Sequence, residues 1–296
     1  MDGAYIDWDD ANIHVMTHGL HYGTAIFEGI RCYASEGRLA AFRMNDHYKR
    51  LTDGARVYRM KMGYGIGDLC DATKGLLKAN GLKESYVRPI VFTGYGEISP
   101  DMADAGVSVA ICSLELGEYF GARAQEGITC VSSSWKRMAP EYLSPHVKSS
   151  ANYLNSAMAK LEARDAGASE CILYSHDGHV AEASSANIFL VRDGELITPP
   201  TEDGILPGIT RDSILEMACR RGIVCHEKSI LRDELYLADE VFLCGTASEI
   251  TPVIGIDRRV IGKGAPGPLT CIMREWYSRI TRGLDGEFRD WLDFVE

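Results

Sequence analysis

Lys148 lies in the segment Pro145-His146-Val147-Lys148-Ser149-Ser150-Ala151-Asn152-Tyr153, just ahead of a helix-like run. Glu182 ends a strand-like segment and opens Glu182-Ala183-Ser184-Ser185-Ala186-Asn187-Ile188-Phe189. The first residue offers a primary amine that can form a Schiff base, and the second a carboxylate that can keep a heteroaromatic ring nitrogen protonated. Neither type is informative alone, because lysine and glutamate mostly decorate surfaces. Their settings give them weight. Ser149 and Ser150 are competent caps, so Lys148 would stand at a helix entrance, where the macrodipole disfavours an ammonium and eases formation of the neutral amine that attacks an aldehyde. Tyr153 lies one turn into that helix and brings a hydroxyl to the same end.

Other residues suit an anionic, partly apolar ligand. Leu206-Pro207-Gly208-Ile209-Thr210 opens a predicted helix, whose free N–H groups and dipole favour an anion that glycine lets approach closely. Tyr86 and Arg88 are two apart in a predicted strand and so share a face, setting a hydroxyl beside a cation. On the strand at 26–33, Phe27, Gly29, Arg31 and Tyr33 likewise alternate onto one side.

The elements that must position these groups can be read from periodicity. Segments 26–33 and 38–42 read as a hairpin; Tyr48, Leu51, Ala55 and Tyr58 recur at helical spacing after the cap-like Asn45-Asp46; a helix near 68–79 stops at Asn80-Gly81. Strands follow at 86–93 and 107–114. A glycine-punctuated stretch, 117–127, suggests a connection between domains. Beyond it the sequence predicts a helix through Leu154, Ala157, Met158 and Leu161, then strands at 171–174, 179–182, 187–191 and 195–197 separated by Asp177-Gly178 and Asp193-Gly194. A helix at 210–221, strands at 223–227, 240–244 and 250–256, and a helix at 269–282 complete the pattern. Strands and helices mix without regular β-α alternation, which favours an α+β fold. The expected division is a smaller N-terminal domain at 1–119, a connection at 120–127 and a larger domain at 128–296.

Composition bounds the function. With 46% hydrophobic and 25% charged residues, the chain has the make-up of a soluble globular protein, and no apolar run approaches the length of a membrane span. A formal net charge of -11 without clustered Lys and Arg argues against a nucleic-acid partner. The acidic start, residues 1–10, resembles neither a secretory signal nor a transit peptide, so a cytoplasmic location is expected. Nine scattered cysteines without a Cys-x-x-Cys pair fit reduced thiols.

Taken together, Lys148 with Asn152-Tyr153, Glu182 with Asn187-Ile188-Phe189, Leu206-Pro207-Gly208-Ile209-Thr210-Arg211 and Gly245-Thr246-Ala247-Ser248-Glu249-Ile250-Thr251-Pro252 occur in the order and approximate spacing of class IV aminotransferases, the pyridoxal phosphate enzymes of fold type IV. With His21-Tyr22-Gly23, Phe27-Glu28-Gly29-Ile30-Arg31 and Tyr86-Val87-Arg88-Pro89 added, nearly the whole chain resembles the bacterial branched-chain amino acid aminotransferases. The resemblance implies pyridoxal 5'-phosphate as cofactor, carried by Lys148, with Tyr153 on its phenolic oxygen and Glu182 on its ring nitrogen. It assigns the phosphate to Arg50, to the Ile209 and Thr210 end of the predicted helix and to Thr246, and counts Leu206 among the cofactor-binding residues. It assigns the substrate to Tyr22, Phe27, Gly29, Tyr86, Arg88, Tyr119, Thr246 and Ala247, with Arg88 serving the second carboxylate of glutamate. It also implies amino-acid and 2-oxo-acid substrates and a homodimer or larger symmetric assembly. One departure is Leu116, which stands where members of the family carry a tryptophan.

Competing readings are D-amino acid or (R)-amine transamination on the same fold, an aminodeoxychorismate lyase, and a noncatalytic cofactor carrier. The pairing of Tyr86 and Arg88 beside Phe27 and Gly29 disfavours the D-amino acid and (R)-amine readings, the lyase would release pyruvate rather than exchange an amino group, and a reactive Lys148 would gain a carrier nothing. Gly262-x-Gly264-x-x-Gly267 matches a dinucleotide pattern but is broken by Pro266 and Pro268. His14, His18 and His21 lack the company that a metal site needs, so no metal is expected. Without a Gly-x-Ser-x-Gly elbow, serine hydrolase chemistry has no foothold.

Overall fold

The computed structural model describes residues 1–295 except Glu118 and Ala122; Ala122 falls in the expected connection, and it, Glu118 and Glu296 lie outside the described residues. In chain order the elements are α1 (His18–Tyr22), β1 (Ala25–Phe27), β2 (Ile30–Ser35), β3 (Arg38–Phe42), α2 (Met44–Val57), α3 (Ile66–Asn80), β4 (Ser85–Thr93) and β5 (Val107–Leu114). There follow α4 (Arg123–Glu126), β6 (Ile128–Lys136), α5 (Ser150–Asp165), β7 (Glu170–Tyr174), β8 (Val180–Ala183), β9 (Asn187–Arg192), β10 (Glu195–Thr198), α6 (Ile209–Arg220) and β11 (Cys225–Glu227). The chain ends with α7 (Arg232–Tyr236), β12 (Glu240–Gly245), β13 (Glu249–Ile256), β14 (Arg259–Val260), α8 (Pro268–Thr281) and β15 (Leu292–Val295).

Two compact units emerge, Met1–Leu116 with Val147–Tyr153 and Thr281–Glu296, and Gly117–His146 with Leu154–Ile280. They differ from a single cut at 120–127. The chain's last strand, β15, pairs antiparallel with β3 (Leu292 opposite Phe42) and so completes the first sheet. Segment 147–149 also joins that sheet: Ile26 bridges Ser149, and the Phe27 N–H donates to the Lys148 carbonyl at 3.0 Å.

In the first unit a six-stranded sheet runs β1-β4-β2-β3-β15, with β5 on β4. The expected strand at 26–33 is split into β1 and β2 at Glu28-Gly29, yet its register is unbroken, since Phe27 faces Ile90 and Ile30 faces Val87. One side of this sheet carries Ile26, Ile30, Cys32, Val87 and Val91, which pack with Met44, Tyr48, Leu51 and Ala55 of α2 and Leu69 and Leu77 of α3 into one core. The spacing of the α2 residues puts them on a single helical face. Helix α2 starts earlier than its Asn45-Asp46 signal suggests. Its N-cap is Arg43 in a left-handed conformation, and the orphan Met44 N–H is met by Asp293 of β15 at 3.2 Å.

The second unit is built on a nine-stranded sheet, β11-β10-β9-β12-β13-β6-β7-β8 with β14 on β13. Pairs β6-β7, β6-β13 and β10-β11 are parallel. Strands β7, β8, β9 and β12 are buried almost without interruption, as expected of strands covered on both faces. Their side chains, among them Ile172, Ile188, Leu190, Val241 and Leu243, form the core of this unit. All nine cysteines are free.

Candidate active site

In the first unit Lys148 is presented by a rigid segment. Val147, Ser149 and Asn152 are buried around it, Asn152 Nδ2 donates to the Val147 carbonyl at 3.2 Å, and the Asn152 N–H reaches the Ser149 carbonyl at 3.1 Å. The half-buried Lys148 Nζ donates to Tyr153 Oη at 2.5 Å and lies 5.2 Å from the centre of the Phe27 ring. Phe27 and Tyr153 meet edge to face at 4.8 Å. The structure thus gathers Lys148, Tyr153 and Phe27 from two segments distant in sequence.

Phe27 leads on to the face shared with Tyr86 and Arg88. Arg88 Nη2 donates to Tyr86 Oη at 3.2 Å, and its guanidinium stands 4.9 Å from the Phe27 ring centre and 5.3 Å from that of Tyr86. Gly29 makes this possible, because a Cβ there would lie 1.9 Å from Tyr86 Oη. Tyr22 has a different neighbourhood: its hydroxyl donates to the Ile98 carbonyl at 2.6 Å and its ring leans on His18. His18 and His21 are engaged in hydrogen bonds, to Thr24 and Ser99 and to Val15 respectively.

Behind Phe27 lies a cluster that the sequence did not announce. Glu28, fully buried, accepts from Arg50 Nε at 2.6 Å and Arg50 Nη2 at 2.9 Å, and from His47 Nδ1 at 2.7 Å. Burial alone would push the Glu28 carboxyl up, but the Arg50 charge, then His47, hold it well below the usual carboxylate range. Burial pushes the His47 imidazole down, Glu28 opposes that, and Arg50 and Lys148 add to it. A neutral His47 therefore donates its Nδ1 proton to an ionised Glu28. The only sequence signal was an acidic residue inside a mostly apolar strand, between Phe27 and Gly29.

In the second unit Glu182, on β8 and buried, is met from three directions. Its Oε2 accepts from Asn187 Nδ2 at 3.0 Å and from the Leu206 N–H at 3.1 Å, while Arg137 Nε approaches Oε1 to 2.8 Å as an ion pair of close approach rather than an aligned hydrogen bond. Asn187 Nδ2 also donates to the Leu206 carbonyl at 3.0 Å. Arg137, just beyond β6, is a second residue that sequence reasoning missed; it is buried, and Nη1 reaches Ser156 Oγ at 3.4 Å.

Helix α6 begins after Gly208 without a side-chain cap, with Ile209 and Thr210 buried in its first turn. A Cβ on Gly208 would lie 1.9 Å from Asn187 Oδ1, so this helix entrance sits tightly on the residue that braces Glu182. Thr246 and Ala247 lie in the turn between β12 and β13, where the buried Ser248 Oγ lacks a hydrogen-bond partner. Tyr119 packs edge-on against Phe120, with its hydroxyl 3.4 Å from Ser185 Oγ.

A reactive amine beside a tyrosine, a buried carboxylate braced by donors and an uncapped helix start are what an aldehyde cofactor with a phosphate tail needs. The model of the amino-transferase class IV family matches residues 25–256, and the chain belongs to that family. More particularly, it is 40% identical to the branched-chain-amino-acid aminotransferase of Escherichia coli K12, over 99% of this chain and 96% of that one. The solved branched-chain aminotransferase of Thermoproteus uzoniensis, crystallised with norvaline, superposes with a TM-score of 0.95 at 40% identity, covering 100% of this chain and 98% of the other. That of Thermobaculum terrenum in its PLP-form gives 0.92 at 35% identity, covering 98% and 95%. The α+β fold is thus the fold type IV architecture.

Proposed function

We propose that the chain is a pyridoxal 5'-phosphate-dependent transaminase that moves the amino group of leucine, isoleucine or valine to 2-oxoglutarate, giving a branched 2-oxo acid and L-glutamate. The observation that carries the reading is the Lys148 amine, fixed by a buried backbone segment and bonded to Tyr153 beside an aromatic wall. The residues fit the cofactor. Uncapped α6, with Gly208 allowing close approach, suits a phosphate, as do Arg50, Thr246 and the unpartnered Ser248 Oγ nearby in sequence; the braced Glu182 suits a ring nitrogen.

When bound, the cofactor accepts an amino group at its aldehyde carbon and its protonated ring withdraws electrons from the substrate α carbon. Lys148 would hold the cofactor through Nζ and, once freed by the substrate amine, the same Nζ would take the substrate α proton as general base and return it as general acid. Tyr153 orients that amine. Glu182, held by Arg137, Asn187 and the Leu206 N–H, would stand at the ring nitrogen and favour its protonated form. Tyr86, with the backbone at Thr246 and Ala247, receives the α-carboxylate, and Phe27, Gly29, Tyr22 and Tyr119 line the side-chain pocket. Arg88 serves the second carboxylate of 2-oxoglutarate, so one pocket accepts an apolar chain in one half-reaction and an anion in the other.

Among the described residues no helix is long and apolar enough to cross a membrane. We place the enzyme in the cytoplasm as a symmetric homodimer, a reading supported by its nine free cysteines and by exposed Tyr5, Trp8, Val15 and Leu20 in the N-terminal segment.

The deciding experiment offers the purified enzyme 2-oxoglutarate with L-leucine, L-valine, D-alanine or an (R)-amine, and tests aminodeoxychorismate separately. Fastest glutamate formation with L-leucine or L-valine is expected, and faster turnover with D-alanine would reject the assignment. Lys148→Ala is expected to lose both turnover and the visible absorbance of the bound cofactor; retained steady-state turnover would reject the mechanism.

A further inference from the structure

Arginine 50 projects from α2 on a long flexible stem, and freezing such a side chain costs about 2 kcal/mol of rotamer entropy. In this chain the freezing is done in advance. Glu28 grips the guanidinium through Nε and Nη2 at 2.6 and 2.9 Å, and His47, one turn earlier on α2, donates to the same carboxylate at 2.7 Å. Glu28 is itself immobile: fully buried, its N–H donates to the Pro89 carbonyl at 2.9 Å, and its Oε2 accepts from the Gly29 N–H at 3.2 Å. It sits in the gap between β1 and β2, flanked by Phe27 and Gly29, whose side of the sheet carries Tyr86 and Arg88.

We propose that Glu28, supported by His47, is a positioning residue that presents the Arg50 guanidinium in a fixed orientation to the cofactor phosphate, and ties that orientation to the strand carrying Phe27 and Gly29. This rests on the reading of Arg50 as a phosphate ligand. Plain charge summation makes the opposite prediction: a carboxylate beside Arg50 cancels part of its charge, so removing it should tighten the grip on an anion. Preorganisation predicts weakening, because a guanidinium released from a bidentate pair must be reordered on every binding event. The sign of the effect decides between them.

The test compares wild type, Glu28→Gln, Arg50→Lys and the double variant, each purified as holoenzyme, stripped by dialysis and titrated with pyridoxal phosphate and with phosphate-free pyridoxal by absorbance. Glu28→Gln is expected to weaken pyridoxal phosphate binding about tenfold, the order carried by one charge-assisted hydrogen bond, while pyridoxal binding stays within about twofold. The double variant is expected to bind no worse than Arg50→Lys alone. A purely structural role would weaken both ligands alike, and charge cancellation would strengthen the phosphate form; either result overturns the proposal. If Arg50→Lys also leaves the ratio between the two ligands unchanged, the reading of Arg50 as a phosphate ligand fails instead. Should Glu28→Gln not fold, His47→Asn decides: a selective loss of about threefold for the phosphate form is expected, and no selective loss overturns the proposal.

Discussion

Glu28 and Glu182 are both buried carboxylates facing an arginine from another element, yet they are built differently. Glu28 is gripped by side chains of α2, two nitrogens of Arg50 and one of His47. Glu182 takes neutral donors on one oxygen, Asn187 and the Leu206 N–H that leads into α6, and the arginine on the other. The first arrangement satisfies a charge at close range and turns it into a mechanical tie between a strand and a helix. The second combines a buried arginine on one oxygen with two amide donors on the other, so the carboxylate is held from both sides by groups of its own unit. Burial of an acid therefore does not by itself say what it is for; the partners do.

The comparison breaks most visibly at Glu28. Glu28→Ala leaves the part-buried Arg50 guanidinium and the buried His47 without the carboxylate that holds both, and a loss of about 3–5 kcal/mol in unfolding free energy is expected in urea titrations of enzyme stripped of cofactor, where no phosphate takes its place. A loss below about 1 kcal/mol would mean that the pair behaves like a surface salt bridge. The same carboxylate should leave a mark on acid stability. Its pKa is depressed in the folded chain, so its contribution is complete above the ordinary value of 4.5 and is lost as pH falls through the lower folded value. Unfolding curves of wild type are expected to weaken more steeply than those of Glu28→Gln on acidification from 4.5 towards the lower folded value, and parallel curves would contradict the assignment.

At Glu182 the expected loss is in chemistry. Glu182→Gln keeps the shape and most of the hydrogen-bonding capacity but removes the charge, and turnover with L-leucine is expected to fall by about 10²–10³-fold, the order lost when one preorganised electrostatic partner is removed. Cofactor retention through gel filtration should be nearly unchanged. Turnover within about threefold of wild type would place Glu182 with Glu28 as a structural acid and erase the difference between them.

How much of this was legible beforehand follows the same division. The α6 entrance and the Lys148 segment were readable because their signals are local: Pro207-Gly208 before a helical period, and Ser149-Ser150 before another. Tyr86 and Arg88 were readable from alternation along the unbroken β4, and the 26–33 alternation survives the split between β1 and β2 because the register does. Glu28 was not, since its partners lie on a helix that only the fold brings to it. Strand β6, and with it Arg137, was missed because Ser132-Ser133-Ser134 resembles a loop. In the structure these residues are held by carboxylates, Ser132 by Asp257 at 2.6 Å and Ser133 by Glu162 at 2.6 Å. Strand β15 spans too few residues for alternation to show, and its pairing with β3 is entirely long-range.

The gentlest test concerns the other side of the strand that carries Glu28. In Gly29→Ala the new methyl would fall 1.9 Å from Tyr86 Oη and 2.6 Å from Cζ, so the buried ring must shift and its hydrogen bond from Arg88 is lost. A stability loss of about 1–3 kcal/mol is expected, the ordinary cost of forcing a packed side chain aside. KM for L-leucine is expected to rise about tenfold with a smaller change in kcat, as when binding common to ground and transition states is removed. An unchanged KM alongside a lowered melting temperature would assign this face to packing, like the Glu28 face behind it, and would move the α-carboxylate away from Tyr86.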